Sequence, residues 1–309
     1  MGIIFCGLPM KTNSQAMKIL LFGKTGQVGW EAHRTLSPLG KVHAYGPDEL
    51  DLAKLDELEK TIRDVKPGII INASAYTAVD KAESEPGLAQ AINAAAPGVM
   101  AEEARKLGIP LIHISTDYVF DGEKGAPYTE GDETHPLNVY GQSKLEGEQA
   151  IVQVGGGHVI LRTSWVYSLR GDSFVTKILA WSRKLETLKV VSDQVGSPTW
   201  ARMLAETISA LLAHSLPDPQ NYFLERRGIY HLGGAGSVSR LDFAKAILRL
   251  NPKSGEQATR HLEPALTADF PTPACRPLVT PLDCTRFEQV FGLHLPGWEE
   301  SLNLALADA

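Results

Sequence analysis

The sequence predicts an α/β protein: a doubly wound parallel sheet over residues 17–166, followed by a smaller mixed α/β domain over residues 167–309. Three observations carry that prediction. An apolar run, Ile19 to Phe22, turns through Gly23-Lys-Thr-Gly26-Gln-Val-Gly29 directly into a helical stretch, Trp30 to Leu36. Short apolar runs then alternate with stretches of helical period up to Trp165, the pattern of parallel strands joined by crossover helices. After Trp165 the elements become less regular and the loops richer in glycine and proline, which is where specificity is expected on a rigid α/β core.

Bulk properties narrow the function. A chain of 309 residues suits one large α/β domain or two unequal ones, with ample length for a core. A formal net charge of -6 offers no basic patch for a phosphate backbone, so nucleic acid is not an expected partner. Cys6, Cys275 and Cys284 form neither a metal-spaced set nor a disulfide framework, which fits a reducing cytoplasm. Residues 1–16 read as an N-terminal extension. Their apolar run, Gly2 to Leu8, is too short for a membrane span and lacks a signal peptide's positive segment. No other stretch is apolar for long enough to cross a bilayer.

The elements follow in order. Met17 to Phe22 reads as the first strand, and the glycines after it let the backbone turn sharply and approach a pyrophosphate at a helix N-terminus. This is the Rossmann arrangement, and Gly23, Gly26 and Gly29 are its candidate cofactor residues. The lysine inside the turn is not a P-loop lysine, because the G-x-x-x-x-G-K spacing is absent. Lys41 to Tyr45 is the second strand. At its end, where an acid would bond the adenine ribose of NAD, stands Gly46, with Asp48 late; no carboxylate there repels a 2′-phosphate, so NADPH is accommodated as well as NADH. A helix from Lys54 to Val65 leads to a buried strand, Gly68 to Asn72. The small residues of Ala73-Ser-Ala-Tyr76-Thr-Ala-Val79 then leave room for a flat cofactor against backbone. A helix from Leu88 to Leu107 crosses back to the strand Pro110 to Ser115.

That strand places Ser115 and Thr116 at a carboxyl end, where a substrate oxygen is bonded in such sheets, although a hydroxyl there serves equally as an N-cap. A helix opens at Tyr140 with Lys144 one turn on, on the same face. An ammonium beside a phenol favours the phenolate and lowers its pKa, which makes a working acid/base from a weak one; alone, the pair also reads as a surface tyrosine beside a solvated lysine. Later helices are expected over Asp172 to Lys184, Arg202 to His214, Ser239 to Leu250, Asp283 to Phe291 and Trp298 to Leu306. Strands are expected over Leu188 to Val191 and Ile229 to Leu232. Arg276, in the proline-rich run Phe270 to Pro277, reads either as a diphosphate ligand or as a structural salt bridge. His113 and His231 lie in buried strands without ligand-spaced companions and read as packing residues, so no catalytic metal is assigned.

Together Gly23 to Gly29, Thr116-Asp-Tyr-Val-Phe120 and Tyr140-Gly-Gln-Ser-Lys144 resemble the extended short-chain dehydrogenase/reductase superfamily. More narrowly, Thr77-Ala-Val-Asp-Lys-Ala-Glu83, Arg162-Thr-Ser-Trp-Val-Tyr167, Asp193-Gln-Val-Gly-Ser-Pro-Thr199 and Phe270-Pro-Thr-Pro-Ala-Cys-Arg-Pro277 resemble the dTDP-4-dehydrorhamnose reductase family, from Met17 to the C-terminus. The resemblance implies NADPH- or NADH-dependent reduction of the C4 ketone of a dTDP sugar, for cell-surface polysaccharide. It implies Tyr140 as proton donor, Lys144 at the nicotinamide ribose and Thr116 on the substrate oxygen. It also implies Gly26, Gln27 and Val28 at the pyrophosphate, Asp51 and Leu52 near the adenine, Ala75, Tyr76 and Thr77 along the middle of the cofactor, and Val79, Asp117 and Trp165 against the sugar nucleotide. A homodimer and Mg²⁺ are known in some members, but no glutamate here, Glu299 and Glu300 included, is matched to a bridging position. Two rivals stay open: a reductase or epimerase of another nucleotide sugar, and a non-catalytic relative like the regulatory subunit of methionine adenosyltransferase.

Overall fold

The computed structural model describes residues 16–307; the expected extension, residue 16 apart, and Cys6 lie outside them. Six strands form the main sheet: β1 (Lys18–Phe22), β2 (Lys41–Tyr45), β3 (Ile69–Asn72), β4 (Leu111–Thr116), β5 (His158–Thr163) and β6 (Gly228–His231). Their order is β6-β5-β4-β3-β1-β2 and every pairing is parallel. Parallel strands are covered on both faces, which is why β1 and β3 are continuous apolar runs with Ile19, Leu20, Leu21, Ile69, Ile70 and Ile71 fully buried. The order reverses between β1 and β3, and that switch point is where an open α/β sheet leaves a crevice beyond its carboxyl ends.

The principal helices are α1 (Gln27–Leu36), α2 (Leu55–Val65), α3 (Ala96–Leu107), α4 (Val139–Val154), α5 (Phe174–Ser182), α6 (Ala201–Ser215), α7 (Arg240–Leu250) and α8 (Trp298–Ala307). One sheet face carries α1 and α6, through Val28, Ala32, Leu36, Leu204, Ile208 and Leu211. The other carries α2, α3 and α4, through Leu58, Ile62, Met100, Ala104 and Ile151. A separate core joins α5, α7 and α8 around Ile178, Phe243, Ile247 and Leu302, beside a parallel strand pair, Thr187–Val191 with His261–Ala265.

The path of the chain is interleaved between the main sheet and this separate core, and does not keep to the expected 166/167 boundary. After Tyr167 it builds part of the second core, returns as α6 and β6 to complete the main sheet and its cover, and leaves again; Phe287, Phe291 and Leu295 come back once more. The reason is that α1 needs a covering partner and β5 a neighbour, and the later sequence supplies both. No helix among the described residues is long and apolar enough to cross a membrane. A buried ion pair ties α4 to the sheet: Arg162 of β5 meets Glu148 at 2.7 Å, with side chains 3% and 1% exposed.

Candidate active site

The glycine turn at the end of β1 is tight for a steric reason. Gly23 has φ of 89°, and a Cβ there would lie 2.6 Å from the Ala73 carbonyl oxygen. A Cβ on Gly29 would lie 2.0 Å from the Gly23 oxygen. Gly26 caps α1 without any side chain, and the first turn, from Gln27 and Val28 onward, holds no acid. Its open N–H groups and positive dipole end fit a pyrophosphate.

At the end of β2 the structure adds a residue that sequence position did not single out. The Gly46 N–H donates to Glu49 Oε2 at 2.9 Å, and Glu49 pairs with Lys24 at 2.5 Å. The turn after β2 thus brings a carboxylate against the Gly46 N–H. Asp51, exposed, accepts from the Ala53 N–H at 2.9 Å, and Leu52 packs on the neighbouring apolar cluster. On the far side of the crevice, the Ala75-Tyr76-Thr77 loop is held by Asn93, whose Oδ1 accepts from the Tyr76 N–H at 2.8 Å while Nδ2 donates to the Tyr76 carbonyl at 3.1 Å.

Asn138 caps α4 by accepting from the Gly141 N–H at 2.8 Å, which starts the helix at Val139 and puts Tyr140 and Lys144 on the face that packs against β4. Neighbouring residues on β4 face opposite ways. Ser115 donates to the buried Glu148 at 2.5 Å and so turns away from the cleft, whereas the Thr116 hydroxyl accepts from the Tyr118 N–H at 3.2 Å, donates to Asp117 Oδ1 at 3.3 Å and lies close enough to the Tyr140 phenol to influence it. Of the two hydroxyls the sequence offered, only Thr116 joins the site. The Tyr118 ring meets that of Tyr140 edge-on, centroids 5.7 Å apart.

The electrostatics differ from the expectation. Burial raises the Tyr140 phenol above its ordinary value, the Thr116 hydrogen bond opposes this, and Asp117 and Tyr118 add to it. The Lys144 side chain, on a residue 1% exposed, is turned into the sheet: its amine donates to the Ile114 carbonyl at 2.7 Å and lies 3.1 Å from His113 Nε2. Burial lowers Lys144 to about 8, with the Glu148 charge opposing. The resting phenol is therefore protonated at neutral pH, the form a proton donor needs. His113 does more than pack.

The opposite wall comes from later sequence. Asp117, 2% exposed, accepts from Ser164 at 2.9 Å and from Thr280 at 2.6 Å, so its carboxylate ties three segments together. Trp165 has φ of 45°, and its indole lies against Gly196, where a Cβ would come within 2.6 Å of the ring. The Arg240 guanidinium stacks 3.5 Å above the indole and 4.9 Å from the Phe174 ring. Burial lowers Arg240 to about 10. No spacing in the sequence marks Arg240; only the return of α7 brings it to Trp165. Arg276 forms the structural alternative, pairing with Asp80, beside Val79, at 2.7 Å. Among the described residues no three or more His, Cys, Asp or Glu side chains group as a metal site, and Glu299 pairs with Arg249.

A switch-point crevice with a glycine turn on one side and Thr116, Tyr140 and Lys144 on the other defines a dinucleotide-dependent oxidoreductase of the extended short-chain dehydrogenase/reductase class. Within that class the chain belongs to the RmlD substrate binding domain family, whose model matches residues 17–309. It is similar to the dTDP-4-dehydrorhamnose reductase of Burkholderia thailandensis, at 40% identity over 94% of this chain and 99% of that one. With the Escherichia coli K12 enzyme of the same name it shares 42% identity over 92% and 95% of the two chains. The crystal structure of dTDP-4-dehydrorhamnose reductase from Bacillus anthracis in complex with NADP matches with a TM-score of 0.86 at 31% identity, over 95% of this chain and 100% of that one.

Proposed function

We propose that this protein reduces the C4 ketone of dTDP-4-dehydro-β-L-rhamnose to dTDP-L-rhamnose with NADPH or NADH, the last step in making that sugar nucleotide for cell-surface polysaccharide. The observation that carries the reading is the meeting of Thr116 and Tyr140 beside the crevice, in a chain alike over nearly its whole length to reductases of that name. A bound reduced nicotinamide supplies the hydride. The chain's own residues do the rest. Gly23, Gly26, Gln27, Val28 and Gly29 border the pyrophosphate, Asp51 and Leu52 the adenine, and Ala75, Tyr76 and Thr77 the middle of the cofactor. Tyr140, protonated at neutral pH, gives its phenolic proton to the C4 alkoxide as it forms. Thr116 bonds the same oxygen, and Lys144 bonds the nicotinamide ribose.

In the same reading, residues 17–166 hold the dinucleotide and residues 167–309 supply most of the sugar-nucleotide wall. Val79, Asp117 and Trp165 border the sugar nucleotide. Arg240, a cation held by ring stacking, faces an anionic ligand. The setting is cytoplasmic, in keeping with the free thiols of Cys275 and Cys284, and the assembly a homodimer. The test is the fall in reduced-nicotinamide absorbance when purified protein meets NADPH and freshly generated dTDP-4-dehydrorhamnose. Tyr140→Phe is expected to lower kcat by about 10²–10⁴ while NADPH still binds; near-normal turnover in that variant would refute the assignment of the acid.

A further inference from the structure

Behind Lys144 lies a run of polar groups that the reduction as described does not use. Asn72 of β3 and His113 of β4 are register partners, so their side chains stand side by side on the sheet face that α4 covers. Both are shut off from solvent, at 1% and 0% exposure. One donor whose direction is fixed sets the polarity of the whole run. The backbone N–H of Ser74 donates to Asn72 Oδ1 at 3.1 Å, and the Ser74 hydroxyl donates to the same oxygen at 2.5 Å. With its oxygen facing Ser74, the Asn72 amide turns its nitrogen to the ring and donates to His113 Nδ1 at 2.9 Å.

A neutral imidazole carries one donor and one acceptor nitrogen. Since Nδ1 accepts, the hydrogen sits on Nε2, the atom 3.1 Å from Lys144 Nζ. Burial, and then the charge of Lys144, hold the ring well below the usual histidine range, so it is not an imidazolium. An ammonium has donors only and would meet this N–H donor to donor. A neutral amine satisfies both neighbours, donating to the Ile114 carbonyl at 2.7 Å and accepting from His113 through its lone pair.

We infer that His113 is a positioning residue for the reduction: its Nε2–H, oriented through Asn72 by Ser74, holds Lys144 toward the amine form. The other groups facing Lys144 are accounted for. On its own helix stand Tyr140, one turn back, and Glu148, one turn on; Glu148 raises the lysine but is itself engaged by Arg162 of β5 and Ser115 of β4. From β4 come the ring of His113 and the Ile114 carbonyl. The consequence for turnover rests on reading Tyr140 as the acid. Proton donation leaves a negative charge on Tyr140, which an ammonium at position 144 stabilises and an amine does not. In the reduction direction kcat therefore falls as pH rises through the Lys144 midpoint, and that midpoint is set by His113.

Two measurements on the full-length, cofactor-free protein test this without any activity. Long-range ¹H–¹⁵N spectra of histidine-labelled protein are expected to show His113 protonated at Nε2 and bare at Nδ1; the opposite tautomer or an imidazolium would overturn the inference, whatever the variants do. Lysine ¹³Cε titrations then compare two variants. Asn72→Asp reverses the polarity, since a carboxylate accepts from Nδ1–H and leaves Nε2 as an acceptor. The Lys144 midpoint should rise by about one unit or more beyond the rise the same carboxylate causes in a His113→Phe background; in a separate activity assay the alkaline limb of kcat should move with it. His113→Gln, whose amide can accept from Asn72 and donate to Lys144, should keep the original midpoint. An unmoved Lys144 midpoint in Asn72→Asp, with the tautomer reversed, would overturn the inference. Spectra as expected from a protein that oxidises no NADPH would support the histidine–lysine contact and sink the reductase reading.

Discussion

Trp165 is a bulky residue in the left-handed region, at φ of 45°, a conformation that costs about 1–3 kcal/mol and persists only where the surroundings impose it. Gly196 on one side and the Arg240 guanidinium on the other impose it here. Gly196→Ala puts a methyl group into the indole and is expected to raise KM for the nucleotide sugar about tenfold, a change of roughly 1.4 kcal/mol, with the NADPH Kd unchanged. Initial-rate kinetics check this, and an unmoved KM would remove Trp165 from the substrate wall. Away from the site, Glu103 gives a pH prediction. Its side chain is 2% exposed, and Arg63 first, then Lys106, hold its carboxyl down from 4.5 to about 2. A depressed carboxyl stabilises the fold above its unfolded value and loses that contribution as pH falls through the folded one. Glu103→Gln should therefore lower the urea midpoint at neutral pH, with the gap to the parent closing between pH 4.5 and about 2; a gap constant with pH would contradict the assignment.

At the scale of elements, the informative departure is in the crossover helix. A regular helix was expected from Leu88 to Leu107, and the chain instead runs Pro86–Gln90, a π turn over Ala91–Ala95, then α3. The extra residue in that turn aims Asn93 inward, where it holds the Tyr76 loop and donates to Ser143 Oγ of α4 at 3.0 Å. Gly147 lets α4 approach, since a Cβ there would lie 2.1 Å from the Asn93 carbonyl oxygen. π turns occur as single-turn bulges, frequently at functional sites. Asn93→Ala leaves the Tyr76 N–H without its partner and is expected to destabilise by about 1–3 kcal/mol and to weaken NADPH binding. Chemical denaturation and a cofactor titration measure the two effects; unchanged values in both would mean that the loop is held by other means.

For the whole molecule, the interleaved path of the chain decides whether its halves are separable. Residues 17–166 contain the glycine turn, Thr116, Tyr140 and Lys144, yet they lack β6 and the helix that covers Val28, Ala32 and Leu36 of α1. A fragment of those residues is expected to aggregate or to show no cooperative thermal transition, because a sheet edge and an apolar helix face are left open. Cooperative melting with NADPH binding in the fragment would show instead that the dinucleotide half folds alone.

What could be read from the sequence were the features that neighbours in the chain decide. The apolar runs of β1 and β3, the glycine turn and the four-residue spacing of Tyr140 and Lys144 are local patterns, and a helix period turns that spacing into a shared face. Features that depend on which strands lie side by side were not legible. Ser115 and Thr116 are chemically alike and adjacent, and only the facing of β4 sends one to Glu148 and the other to Tyr140. Glu49, Arg240 and the Asn72–His113–Lys144 run are assembled by a turn, a returning helix and a strand register. The proton affinities of Tyr140 and Lys144 follow burial more than their spacing, because desolvation acts through everything packed around a group, and that is decided only when the chain has folded.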